Sequence, residues 1–362
     1  MFRRIALASS CGLLVAGVAA CSSSAPASTS SGSASTQQSA PVQNVSVTAP
    51  VTENGYAIFV AEAEGFYTKE HLNVKFIPSS SGGSDTVAVL ESGSADFAVQ
   101  DSLVPTRAIE QGATIKYLLM PNTSSSQQIS IRKAAPGAST IENATTPQAQ
   151  VQALKGSNLK FGASSTASSS YTYLLTAARL FGLKVGSPGD ITVQTLGTPQ
   201  NEIVAIKAGR VDAVVGVPPT TTQEDTFQIS LRTLKPFSEM AGNYLMTSDR
   251  FIQDNPVAVQ EFVTAMAMTS EFILKNKSKA EADIVAAIIK NDPTITQAKA
   301  QEDFEISYPL FQNPYPTQIS FTSLSQLYSA TPQGTYPAYT KAVDSSFATK
   351  AFQQLGLTVP AG

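Results

Sequence analysis

The side chains able to do covalent chemistry are few. The 362 residues contain one histidine and two cysteines. His71 sits in the turn-like run Lys69-Glu70-His71-Leu72-Asn73. A lone histidine leaves no Ser/His/Asp triad and no His/Cys metal cluster. Cys11 and Cys21 both lie at the start of the chain, so the rest has no thiol nucleophile, disulfide or thiolate metal site. Gly182, Gly186 and Gly189 lack the Lys-Ser/Thr ending of a phosphate loop. Asp85, Glu91 and Asp96 are spaced like helix-surface and turn carboxylates, with no acid/base couple among them. The reading is a non-enzyme with no cofactor and no metal. What the sequence offers instead is hydrogen-bonding loops: Asn54 and Tyr56; Ser81, Gly82 and Gly83; Asp101 and Ser102; Ser165, Ser168 and Ser169; and Pro218. Serine hydroxyls and unpaired N–H groups at helix starts suit the oxygens of a small polar solute.

Those loops need strand ends and helix starts to hold them. Residues 159–163 read as a strand, 164–170 as a Ser/Thr loop, and Leu174, Leu175, Ala178 and Phe181 as one helix face closed by Gly182. A strand at 191–196, a helix at 201–208 and a strand at 211–215 follow. This is the β–loop–α–β order of a parallel sheet with crossover helices. The same order occurs once earlier, with strands at 45–49, 74–78 and 96–99 and a helix at about 57–69. The run Gly93-Ser94-Ala95-Asp96-Phe97-Ala98-Val99 echoes Gly209-Arg210-Val211-Asp212-Ala213-Val214-Val215. Two α/β lobes on one plan are expected. Ligands of such sheets lie outside the strands' carboxyl ends, where each candidate residue falls.

Strands at 116–120 and 128–133 are expected to leave the first lobe, and one at 229–234 to return, making a two-crossing hinge. From about Pro236 the pattern is helical. Asp254 is the expected cap of a helix carrying Val259, Phe262, Val263, Met266 and Ile273 as its apolar stripe. Further helices are expected at 282–289 and 320–328. The boundaries are then 44–132 plus 237–362 for lobe 1 and 133–236 for lobe 2. The paired lobes should close on a ligand by rotation about the hinge.

Residues 1–20 read as a leader, with Arg3 and Arg4 before a short apolar stretch. It ends Val18-Ala19-Ala20-Cys21, similar to a bacterial lipobox, so Cys21 is the expected lipidation site and the anchor to the outer face of a membrane. Residues 21–43 are a Ser/Ala/Thr/Gln/Pro tether too poor in apolar groups to pack. The formal charge of −3 becomes −5 when Arg3 and Arg4 leave with the leader. With no Lys/Arg stripe, nucleic acid is not an expected partner. No long apolar span is expected after residue 20.

Asn54-Gly55-Tyr56, Glu64-Gly65-Phe66-Tyr67, Gly82-Gly83 and Leu90-Glu91-Ser92-Gly93-Ser94-Ala95-Asp96-Phe97 resemble the nitrate/sulfonate/taurine and thiamine-precursor class of ABC-transporter substrate-binding proteins. So do Phe161-Gly162-Ala163-Ser164-Ser165, Leu196-Gly197-Thr198-Pro199 and Ala208-Gly209-Arg210-Val211-Asp212-Ala213. The resemblance covers about residues 54–219. It implies a type II periplasmic-binding-protein fold, a monomer, and delivery of a small solute to an ABC-importer permease on the extracytoplasmic side. Two departures stand out. Ala167 replaces the usual glycine of the Ser-rich turn, and Asp101 is an acid not general to anion binders. A sulfonate or taurine-like solute is the first expectation, with nitrate or a pyrimidine thiamine precursor as alternatives. An exported enzyme on the same scaffold is the alternative of another class.

Overall fold

A computed structural model describes residues 41–79, 83–122, 128–166, 168–216, 225–235, 237–238, 242–328 and 336–360. The leader, Cys21 and the tether to residue 40 lie outside them, as do Ser81, Gly82, Ala167 and Pro218. The chain opens with β1 (Gln43–Ala49), α1 (Tyr56–Ala63), α2 (Phe66–Lys69), β2 (Leu72–Pro78), α3 (Gly83–Ser92), β3 (Phe97–Asp101), α4 (Leu103–Glu110) and β4 (Ile115–Asn122). It continues with β5 (Gln128–Arg132), α5 (Ala138–Glu142), α6 (Pro147–Gln152), β6 (Leu159–Ala163), α7 (Ser169–Leu180), β7 (Ile191–Thr195), α8 (Pro199–Lys207), β8 (Ala213–Val215) and β9 (Thr226–Ser230). It ends with β10 (Asn243–Ser248), α9 (Asp249–Asp254), α10 (Pro256–Lys275), α11 (Lys277–Asn291), α12 (Gln297–Ser307), α13 (Gln318–Tyr328), α14 (Tyr339–Ala342) and α15 (Ser346–Gln354).

These strands form two five-stranded sheets with orders β2-β1-β3-β10-β4 and β7-β6-β8-β5-β9. In each, three strands run parallel and the fourth position is antiparallel to both neighbours. The sequence echo has a mechanical cause. Gly93 and Gly209 both take left-handed φ, 72° and 69°, the turn that ends a helix without a Cβ clash. Asp96 then exchanges bonds with Ser46 in the middle of β1: Ser46 N donates to Asp96 Oδ2 at 2.7 Å, and Asp96 N donates to Ser46 O at 3.2 Å. Asp212 does the same with Lys160 in β6, at 2.9 and 2.7 Å. Each aspartate clips the entering third strand to the first.

Several expectations need correction. The expected helix at 57–69 is two helices, broken at Gly65 with φ 68°. The returning strand ends at Ser230, where residues 231–233 wind into a single 3-10 turn. β5 pairs with β8 and β9, so residues 128–132 join the second sheet rather than leaving the first. The N-cap position of α10 is Asn255, which makes no side-chain cap bond; Asp254 pairs instead with Arg250 at 3.5 Å. β10, a buried strand inside the stretch read as helical, completes the first sheet.

Helices α10 and α15 pack on one face of the first sheet, with α1 and α11 packed on α10 and α12 on α11, and together they enclose one apolar cluster. Phe262 of α10 lies at the centre, stacked on Phe97 at 4.1 Å and on Tyr67 at 5.5 Å. Contrary to the sequence expectation, α10 is long and apolar enough to cross a membrane, with mean hydropathy 1.3. It is nevertheless 67% buried in this core, which accounts for the apolarity. A second apolar cluster starts on the other face of the first sheet, at Tyr117 and Tyr244. It continues through Phe237 and Tyr173 to Phe161, Ile129 and Ile229 of the second sheet.

Candidate functional site

The carboxyl ends of the first sheet's strands meet the start of α7. Asp101 ends β3, and its carboxylate is shared across the lobes. Oδ1 accepts from Leu103 N at 2.9 Å and from Ser169 Oγ at 2.7 Å; Oδ2 accepts from Tyr173 OH at 3.0 Å. Burial pushes the Asp101 carboxyl above its ordinary value, while the bonds from Ser169, Leu103 N–H and Tyr173 oppose the shift. Three donors converging on one carboxylate form the polar seam between the lobes.

Around Asp101 the β10 register brings strand-end polar groups together. Asn243 pairs with Asp101 on one side and with Asn122 on the other, and Tyr244 faces Gln100. Gln100 Oε1 accepts from Asn54 Nδ2 at 3.3 Å and from Asp101 N at 2.9 Å. Asn122 Nδ2 donates to Glu53 O at 3.0 Å. The loop 52–56 is thereby tied to this edge, and Gly55 is required there because a Cβ would collide with the Pro50 carbonyl oxygen. Among the described residues, Ser102 Oγ and Asn122 Oδ1 are buried here without a hydrogen-bond partner, as is Tyr244 OH in the apolar cluster behind them. Orphaned buried polar atoms are uncommon and mark a place where a polar ligand can contribute. The Tyr244 ring stacks on Tyr117 at 4.2 Å, and burial holds its phenol well above the usual range.

The second lobe contributes the turn before α7. Ser168 is the N-cap of α7: its Oγ accepts from Tyr171 N at 3.3 Å and donates to Ser165 O at 2.7 Å. Its hydroxyl is committed to ending the loop, while that of Ser169 reaches across to Asp101. On the far side of the loop, Gly197 N, ahead of α8, donates to Ser164 O at 2.8 Å, and Ser164 interacts with the carboxyl of Glu202 in α8.

Of the residues singled out in the sequence, Asn54, Asp101, Ser102, Ser165, Ser168 and Ser169 gather around this seam or the turn beside it. Gly83 opens α3. Tyr56 is different: it is the first residue of α1, 4% exposed, and its ring belongs to the core under the first sheet. Its hydroxyl feels Glu53 and Asp303, and burial raises its pKa well above the ordinary value. Sequence reading missed Gln100, Asn122, Tyr173, Tyr244 and Glu202. Only Gln100, beside Asp101 at a strand end, carried a local signal. His71 is exposed in its turn with φ 56°. A surface groove of about 550 Å³ along α10 and α15 contains none of the seam residues.

The two sheets, their matched strand orders and a polar seam at the strand ends define a type II periplasmic-binding-protein fold. The chain belongs to the NMT1/THI5-like family, whose sequence model matches residues 53–280. No curated protein matches it. Solved structures of similar fold include the periplasmic aliphatic sulphonate binding protein SsuA from Escherichia coli. It is 17% identical with a TM-score of 0.60, covering 79% of this chain and 85% of that one. The periplasmic nitrate-binding protein NrtA from Synechocystis PCC 6803 is 14% identical with a TM-score of 0.62, covering 87% and 89%. The desulfurization enzyme DSZB is 12% identical with a TM-score of 0.60, covering 86% and 99%.

Proposed function

We propose that this protein is an extracytoplasmic solute receptor. In this reading it captures a small organic solute between its lobes and hands it to an ABC-importer permease. The observation that carries the proposal is the seam: Asp101 of one lobe bonds to Ser169 and Tyr173 of the other, and Ser102 Oγ, on the next residue, is buried without a partner among the described residues. A cleft that closes on a ligand needs such polar groups on both walls. The ligand-binding set is Asn54, Ser81–Gly83, Asp101, Ser102, Ser165, Ser168, Ser169 and Pro218, with Tyr56 supporting from the core. The lobe boundaries are proposed as 44–132 plus 237–362 for lobe 1 and 133–236 for lobe 2, shifted so that β5, residues 128–132, counts with lobe 2. The sulfonate and nitrate receptors named above share the fold, which makes a sulfonate or taurine-like solute the first candidate and nitrate or a pyrimidine the next. DSZB shows that the scaffold also serves an enzyme. In this chain, however, no histidine or cysteine lies at the seam among the described residues, and the hydroxyls of Ser168, Ser169 and Tyr173 are bonded to backbone, to a neighbouring hydroxyl or to the Asp101 carboxylate.

A thermal-shift panel of sulfonates, nitrate, pyrimidines and aromatic acids tests this. A true solute at a hundred times its Kd stabilises the protein by about 2.7 kcal/mol and is recovered unchanged. A panel member recovered as a cleaved product would replace the receptor reading with the enzyme.

Cys21 is proposed to carry the lipid anchor, with residues 21–43 as the tether and residues 1–20 removed. The protein then acts as a monomer held at a membrane face. Mass spectrometry of the N-terminus from a bacterial host is expected to find diacylglyceryl-Cys21 as the first residue. A soluble protein with Cys21 as a free thiol would refute the anchor.

A further inference from the structure

We infer that Glu202 is a recognition group of this solute site and that the solute it meets carries an amine or similar N–H donor. The inference rests on the receptor reading above and deepens it. Glu202 lies in the first turn of α8 and is 2% exposed. Its carboxyl interacts with Ser164, just past the end of β6. Its Oε1 has no hydrogen-bond partner among the described residues. A buried carboxylate oxygen without a donor is costly.

Among the described residues no charged group offsets that cost. The effects on Glu202 are burial, which raises its pKa to about 7, and the two Ser164 bonds, which oppose the rise. α8 packs on β6 and β8. The charged residues of that region, Lys160 and Asp212, lie at the opposite, amino ends of those strands, where Lys160 N donates to Asp212.

The position of Glu202 links it to the seam. The loop between β6 and α7 has Glu202 bonded at its start, through Ser164, and Asp101 bonded at its end, through Ser169. Strand-end backbone N–H groups are what an anionic ligand would use in such a fold. Here they are engaged by the chain's own carboxylates: Leu103 N by Asp101, and Ser164 N by Glu202. Asp101 already takes three donors, whereas Glu202 keeps an oxygen in reserve. A solute presenting an ammonium or ring N–H group would satisfy it.

Calorimetry with two probe pairs tests this: taurine against ethanesulfonate, and 4-aminopyrimidine against pyrimidine. At least one amine-bearing probe is expected to bind at least about tenfold more tightly than its amine-free partner. Glu202→Gln should remove that preference, so that in the variant the amine-bearing probe binds no more tightly than its amine-free partner. If taurine is the ligand, its affinity should rise about tenfold from pH 6 to pH 8 as Glu202 ionises, and stay flat in Glu202→Gln. Ethanesulfonate binding as well as taurine, with pyrimidine matching 4-aminopyrimidine, would overturn the inference and leave the receptor reading intact. So would equal amine affinity in the parent and the variant. If none of the four binds, the amine inference falls. The receptor reading then stands or falls on the thermal-shift panel.

Discussion

The Phe262→Ala variant will unfold at a lower urea concentration than the parent, having lost about 3–5 kcal/mol. Phe262 is fully buried and stacked between two aromatic partners, Phe97 of the central strand and Tyr67 of α2. Removing its ring deletes the transfer energy of the side chain. It also opens a cavity that the strand on one side and the helices on the other cannot collapse to fill. Phe262→Leu keeps most of the volume and should cost less, on the order of 1–2 kcal/mol. Equilibrium urea unfolding measures both. A loss below about 1 kcal/mol for the alanine variant would mean that α10 does not organise this core.

Glu202→Gln is expected to change the pH dependence of stability. The folded protein keeps the Glu202 proton up to about pH 7, against an ordinary value of 4.5. Between those values the folded state binds more protons than the unfolded state, so Glu202 makes stability fall as pH rises, levelling off above pH 7. The full shift corresponds to about 3 kcal/mol. The glutamine variant loses this slope. At pH 8 it should be more stable than the parent by about 1–2 kcal/mol, after allowing roughly 1 kcal/mol for a weakened bond to Ser164. Unfolding at pH 5 and pH 8 reads the difference directly. Parallel curves for parent and variant would show that Glu202 is ionised in the fold at neutral pH.

Much of the fold was legible because parallel strands buried on both faces read as short apolar runs between loops. β6 at Leu159–Ala163 agrees with the expected bounds, and the repeated Gly-x-x-Asp marked two equivalent strands. β10 was not legible. It is six residues long and buried on both faces, so it shows no alternation, and its partners β3 and β4 lie far away in sequence. Asp101 could be placed at a strand end from its motif, but its partners Ser169 and Tyr173 come from the other lobe. Tyr56 looked like a cleft aromatic because its loop neighbours are polar, yet the start of α1 turns it into the core. Glu202 reads in the sequence as an ordinary carboxylate in a helix's first turn. Only packing against β6 reveals that it is buried.

The antiparallel fourth strand has a consequence for how the molecule assembles. All five strands of the second sheet come from residues 128–230, so that sheet can be completed from one continuous stretch. The first sheet cannot. β3 and β4 are both made early, but they are joined only through β10, which follows the whole second lobe. Until residues 243–248 arrive, both strands present open edges able to pair with another chain. The contacts that close them are long-range, the slowest kind to form. The second lobe should therefore be the earlier folding unit, and the interval before β10 docks is when the chain is most exposed to aggregation.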